Sequence, residues 1–380
     1  MATYPYVQYS GMWTKQAQMQ AVAAGTWTGL PFLYAWGQNN YGQLGLGNIT
    51  KYSSPKQVGS LTTWSNITTG WYYTIATKTD GTLWSWGQNS YGQLGLGNIT
   101  YYSSPKQVGS LTTWLKITAG YYHTIATKTD GTLWSWGLNS YGQLGLGNIT
   151  NYSSPKQVGS LTTWSNITAG YRHTLATKTD GTLWSWGQNS YGQLGLGNIT
   201  NYSSPKQVGS LTTWLKITAG LYHTIATKTD GTLWSWGYND YGQLGLGNIT
   251  NYSSPKQVGS LTTWSNITAG YRHTLATKTD GTLWSWGINS YGQLGLGNIT
   301  SYSSPKQVGS LTTWLTVAAG IDFTIATKTD GTLWSWGRNH YGQLGLGNIT
   351  NYSSPKQVGS LTTWSNITAG GYHTIAIAIA

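Results

Sequence analysis

The chain has 380 residues and contains no cysteine and no glutamate. Only 7% of its residues are charged, against roughly 25% in an ordinary soluble domain. Without cysteine there is no disulfide framework, no thiolate metal site and no cysteine nucleophile. Without glutamate there is no Glu general acid and no paired-Glu glycosidase site. No apolar run approaches the roughly 18 residues of a membrane span, so no membrane insertion is expected. The opening MATYPYVQYSGMWTKQ lacks a basic region followed by an apolar one, so no secretory signal is read there. Disorder is not expected either, because disordered chains are rich in charge and poor in aromatics. The net charge of +12 is spread along the chain rather than gathered in a polybasic tail.

Aromatics and glycine are abundant instead: 23 Trp, 28 Tyr and 52 Gly, with only 2 Phe. Their source is an internal repeat. YGQLGLGNIT begins at residues 41, 91, 141, 191, 241, 291 and 341, and LTTW recurs seven times from 61 to 361. A period of 50 with strand-like patterning points to a propeller. Thr74 to Trp86 reads as a hairpin around Asp80-Gly81. Trp64 to Gly70 and Pro55 to Val58 read as two more short strands, the latter at an edge because of its proline. The unit therefore has four strands.

The two ends of the array complement each other. Phe32 to Gly37 is the second strand of a hairpin lacking its first, and His373 to Ala380 is a first strand lacking its second. Pairing them closes a ring and leaves no free central edge. The Ile alternation at 375, 377 and 379 suits a half-buried closing strand. The predicted fold is all-β: a seven-bladed β-propeller of 50-residue four-stranded repeats over 33–380, closed by its N- and C-terminal strands, after a non-repeated leader at 1–32.

The segment WG-x-N-x-YGQLGLG, followed by a proline, an AG-x-x-HT strand and a DG turn, resembles the regulator of chromosome condensation repeat. That family implies a seven-bladed propeller. It implies little about function, since it includes exchange factors, a plant ultraviolet-B photoreceptor and a β-lactamase inhibitor. The near-identical copies and the leader ending in QAQMQAVAAGTW also resemble repeat proteins encoded by marine phages. The photoreceptor's Gly-Trp-Arg-His-Thr motif is matched at 170–174 and 270–274 with Tyr in the Trp position, which removes the light-absorbing residue. The exchange-factor reading depends on a wedge between regular units, and the constant spacing leaves no insertion.

Differences between copies concentrate after the WG (positions 38 and 40 and their equivalents) and after the AG (71 to 73 and their equivalents). In an up-and-down blade both emerge on one face of the disc, around the channel mouth. That face is the expected binding surface for a glycan or protein, carried by Trp71, Tyr72, Tyr121, Tyr122, Tyr171, Arg172, Tyr222, Tyr238, Asp240, Tyr271, Arg272, Asp322, Arg338, His340 and Tyr372. Drift in exposed loops would give the same pattern. Asp322, Arg338 and His340 fall on one blade and read as a local surface ion pair of small worth, with an asymmetric recognition patch as the alternative. Residues 65–66 alternate between Ser-Asn and Leu-Lys until Leu315-Thr316, a mark of duplication in pairs that brings two Ser-Asn units together at the closure.

Other candidates yield to structural readings. GQLGLGN is not a phosphate loop, because it leads into Asn-Ile-Thr rather than a helix with Lys-Ser or Lys-Thr; Leu44 and Leu46 read as plugs between blades. His123, His173, His223, His273 and His373 give one imidazole per blade, too far apart for one zinc, so no metal or cofactor is expected. The Asp at 80 and its equivalents are turn residues. A repeated constellation is not a privileged catalytic one, so an enzyme is not expected. The seven Lys from 56 to 356 form a sparse rim, and nucleic acid is not the expected ligand. Tyr4, Tyr6, Tyr9 and Trp13 make the leader a candidate docking segment onto a larger assembly, such as a virus particle with the disc on the virion surface. The alternative is a protein-interaction propeller of the chromatin or GTPase-regulator kind.

Overall fold

The computed structural model describes residues 29–379, in which 28 strands, β1 to β28, form seven four-stranded antiparallel sheets. The docking residues Tyr4, Tyr6, Tyr9 and Trp13 lie outside the described residues. No helix among the described residues is long and apolar enough to cross a membrane.

One blade explains the rest. It runs from the axis outward as β3 (Trp64–Thr69), β4 (Tyr73–Lys78), β5 (Leu83–Gly87) and β6 (Tyr102–Gln107). The β4–β5 turn is set by Asp80, whose carboxylate accepts hydrogen bonds from the Thr82 amide (2.9 Å) and hydroxyl (2.6 Å), while Gly81 takes φ +77°. The Thr82 hydroxyl then accepts from Trp84 Nε1 at 2.9 Å, which fixes the half-buried indole. The outer strand is longer than the sequence suggests and carries Pro105 in its interior. It is tolerated because β6 is an edge strand whose register shifts there: Ser85 pairs with Lys106 but Gly87 with Tyr102.

The core lies between blades. Trp86 is completely buried and donates from Nε1 to Gln43 O of the preceding blade at 2.9 Å; Thr74 Oγ1 donates to the same carbonyl. The preceding loop presses so close that a Cβ on Gly45 (φ +74°) would sit 2.7 Å from Trp86 Nε1. One apolar cluster therefore joins Leu33, Ala35, Leu44, Ile375 and Ile377 of one blade to Trp64, Ala76 and Trp86 of the next. The glycine-rich loop is a packing device, as its sequence context implies.

The ring closes in the blade ordered β2 (Tyr52–Gln57), β1 (Pro31–Gly37), β28 (His373–Ile379) and β27 (Trp364–Ala369). Seven residue pairs join β1 to β28, from Pro31↔Ile379 to Gly37↔His373. The closing strand is more enclosed than its alternation predicts. His373 to Ala378 is buried on both faces, because blades flank it on both sides, and only Ile379 is exposed. The two Ser-Asn units do meet at this seam, where Asn366 Nδ2 donates to Ser65 O at 3.2 Å.

Candidate binding face

The inner strands surround an axial channel. At one end it narrows to a cavity of about 110 Å³ lined by Thr69-Gly70 and six Ala-Gly pairs and closed by the residues that follow them. There Trp71 lies edge-on against Tyr121 (4.1 Å between ring centroids), Tyr171 (5.7 Å) and Tyr271 (5.5 Å). Leu221, Ile321 and Gly371 occupy the remaining three positions and are buried. These aromatics form a half-buried plug at the channel mouth, so part of their surface is already used by the fold.

A second ring surrounds the plug. The β5–β6 loop of each blade ends its WG-x-N-x segment in an invariant tyrosine, which meets the next blade's second residue after AG. Tyr41 packs on Tyr72 (5.1 Å), Tyr91 on Tyr122 (5.0 Å), Tyr191 on Tyr222 (5.0 Å) and Tyr341 on Tyr372 (5.3 Å). Arg172 stacks over Tyr141 at 5.0 Å and Arg272 over Tyr241 at 4.8 Å. Arg272 also donates to the Tyr241 hydroxyl at 3.0 Å. In the remaining blade the residue is Asp322, and Arg338 lies over Tyr291 (4.7 Å). Arg338 donates to Asp322 at 3.2 Å and to His340 Nδ1 at 3.3 Å, forming the one ion pair among the described residues. It is a partly enclosed pair: burial holds the Asp322 pKa above the usual carboxylate value despite the guanidinium.

The structure thus gathers Trp71, Tyr121, Tyr171 and Tyr271 at the axis, with Tyr72, Tyr122, Arg172, Tyr222, Arg272, Asp322, Arg338 and Tyr372 around them. Tyr238 joins that ring through Tyr191 (4.7 Å), while Asp240 and His340 are exposed at its edge. Several variable positions do not reach solvent. Gln38, Gln88, Leu138 and Gln188 are buried, tucked beneath the ring by backbone bonds such as Gln88 N to Tyr72 O at 2.9 Å. The invariant tyrosines were not among the sequence candidates, because identity between copies hid them; their place directly after the variable residue was the available signal. Desolvation raises the phenol pKa of Tyr72, Tyr222 and Tyr238 to about 12, so these hydroxyls remain protonated hydrogen-bond donors.

The histidines stand behind this face, each at the start of a blade's second strand. His123, His173, His223, His273 and His373 are fully buried, and each Nε2 lies 3.1–3.5 Å from the threonine hydroxyl of the next blade. Tyr73 and Phe323 fill the same niche without an imidazole. Burial lowers the histidine pKa values to about 3, so the rings are neutral. Among the described residues no group of three or more His, Cys, Asp or Glu is placed to hold a metal.

The regulator of chromosome condensation (RCC1) repeat model matches seven segments, 32–77, 80–127, 130–177, 180–227, 230–277, 280–327 and 330–377, and a second model of that repeat matches six. No curated protein sequence matches the chain. Among solved structures, human WBSCR16 superposes with a TM-score of 0.83 at 22% identity, over 92% of this chain and 99% of that one. Prp20p from Saccharomyces cerevisiae, described with its binding to Gsp1p and histones, gives 0.83 at 21%, over 93% and 92%. At this identity the likeness establishes the fold, and it lends no support to a relationship with phage proteins or to a virion role. With the repeat model matched across nearly every described residue, the chain belongs to the RCC1 repeat family.

Proposed function

We propose that this propeller is a non-enzymatic protein-binding module and that its partner docks on the plugged face. The observation that supports this most is the state of Arg172 and Arg272. Each guanidinium lies over two tyrosine rings, Arg172 over Tyr141 and Tyr171 and Arg272 over Tyr241 and Tyr271, and neither has a carboxylate partner among the described residues. A cation ordered before binding loses little side-chain entropy on contact, and stacked Arg beside Tyr is the composition of interface hot spots. The matching partner surface carries carboxylates. Prp20p, with Gsp1p and histones, offers the class of partner by analogy of fold alone.

The test is capture with immobilised propeller followed by titration of the purified partner. Arg172→Ala with Arg272→Ala should weaken binding at least 100-fold while the propeller stays folded, its melting temperature lowered only by the lost stacking on tyrosine, and added salt should slow association. Equal affinity of the double variant refutes the reading. Binding on a glycan array that is lost in the same variant would replace the protein partner with a sugar.

A further inference from the structure

The opposite mouth of the channel is built differently. It opens into a vestibule of about 490 Å³, lined by residue 66 and its equivalents above a layer of Ile and Val. Four blades contribute Asn, two contribute Lys116 and Lys216, and one contributes Thr316. The alternation that reads in the sequence as a trace of duplication therefore lines a cavity.

The side chains are interlocked. Asn66 and Asn166 donate from Nδ2 to the backbone of the next blade at Leu115 (3.3 Å) and Leu215 (3.1 Å). Lys116 Nζ donates to Asn166 Oδ1 at 2.8 Å, and Lys216 Nζ to Asn266 Oδ1 at 2.8 Å and Ser265 O at 2.9 Å. An ammonium has three donors. Lys116 thus keeps two unused and Lys216 keeps one. No acidic side chain lines the vestibule, and neither lysine forms a salt bridge. Two ordered, uncompensated positive charges stand two blades apart on one side of the axis. Thr316, Asn366 and Asn66 make the other side neutral.

We infer that this vestibule is a binding site for a small phosphate-bearing dianion or polyanion. Lys116 and Lys216 supply point charges to the phosphoryl oxygens, as ammonium groups do in phosphate sites. The neutral side admits the uncharged remainder of the ligand, and the apolar layer of Ile and Val sets the depth of entry. The site is separate from the protein-binding face, lying at the other end of the axis.

The experiment is calorimetric titration of the full chain with inorganic pyrophosphate, inorganic phosphate and sulfate at low and moderate salt. Pyrophosphate should bind at one per chain, more tightly than phosphate, with an affinity that falls as salt rises. Lys116→Gln or Lys216→Gln should weaken pyrophosphate at least 10-fold, and Thr316→Lys should strengthen it. The Thr316→Lys variant adds a charge and leaves the Asn and Lys bonds of the ring intact; it gives up only the Thr316–Thr327 hydroxyl bond (2.6 Å), whose counterpart is already missing in the blades that carry Lys116 and Lys216, so it tests the site even if a lysine variant fails to fold. Absence of binding heat in the wild type, or affinity unchanged across these variants, overturns the assignment. Sulfate binding as tightly as pyrophosphate overturns the phosphate preference.

Discussion

Five buried neutral histidines make the propeller sensitive to mild acid, and the size of the effect follows from the structure. A free histidine titrates near 6.5 and the buried ones near 3. Between those values the unfolded chain binds protons that the folded chain does not, so stability falls as pH drops below 6.5. With 1.36 kcal/mol per unit, each histidine costs about 1.4 kcal/mol at pH 5.5 relative to neutral pH, and five cost about 7 kcal/mol. That is comparable with the whole stability of a typical domain, about 5–15 kcal/mol. The turn aspartates do not contribute in this window. Their pKa values are lowered below 3.8 by bonds from the following threonine, so their effect begins only in stronger acid. Asp322, raised by burial, acts in the opposite sense. Phe323 shows that the niche accepts a phenyl ring with no exposure. Replacing all five histidines by Phe should lower stability at pH 7.5 by about 1 kcal/mol per lost His–Thr bond, yet leave it nearly flat down to pH 5. Urea denaturation at pH 7.5, 6.5 and 5.5 measures both chains, with single His173→Phe as a smaller step that should recover about 1.4 kcal/mol of the pH dependence. If the wild type is equally stable at pH 7.5 and 5.5, or if the Phe variant keeps the wild-type slope, the reasoning fails.

Other outcomes are equally specific. Gly245→Ala places a Cβ 2.7 Å from Trp286 Nε1 at φ +74°, whereas Gly259→Ala meets nothing within 4 Å at φ +60°; thermal melts should show about 3 kcal/mol lost for the first and about 1 kcal/mol for the second. Ile377→Ala removes buried methyls from the closing strand and should cost about 2–4 kcal/mol by denaturant titration. Arg338→Met strands the Asp322 carboxylate and should cost about 1–3 kcal/mol at pH 7, much of it restored by adding Asp322→Asn.

The blade was legible in the sequence because each element has a local cause: the Asp-Gly turn, the alternating Trp84 and Trp86, and a β1 and β28 that each lack a partner. The site was legible only where copies differ. Tyr141 and Tyr241, which hold the arginines, are identical in every repeat and meet residues 31 positions away across a blade boundary. Such contacts depend on how one blade leans on the next, which no single repeat encodes. The reverse error occurred at Gln38 and Leu138, where variation marks a buried position that tolerates several shapes. Lys116 and Lys216 read as history because the inner strand's first residues were not recognised as the rim of a cavity.

The seam between β1 and β28 also constrains when the ring can exist. Its seven pairs exceed the five that join β4 to β5, and they link residues more than 300 positions apart. Six blades can assemble from local hairpins as the chain emerges, but the seventh waits for His373 to Ile379. Near-identical repeats invite closure one blade short. The seam discourages it, since β28 carries Ile-Ala-Ile where the other second strands carry Thr-Lys-Thr leading into a turn. Once zipped, the disc has no free central edge from which to unravel, and its lifetime is governed by the rate at which that one ladder opens.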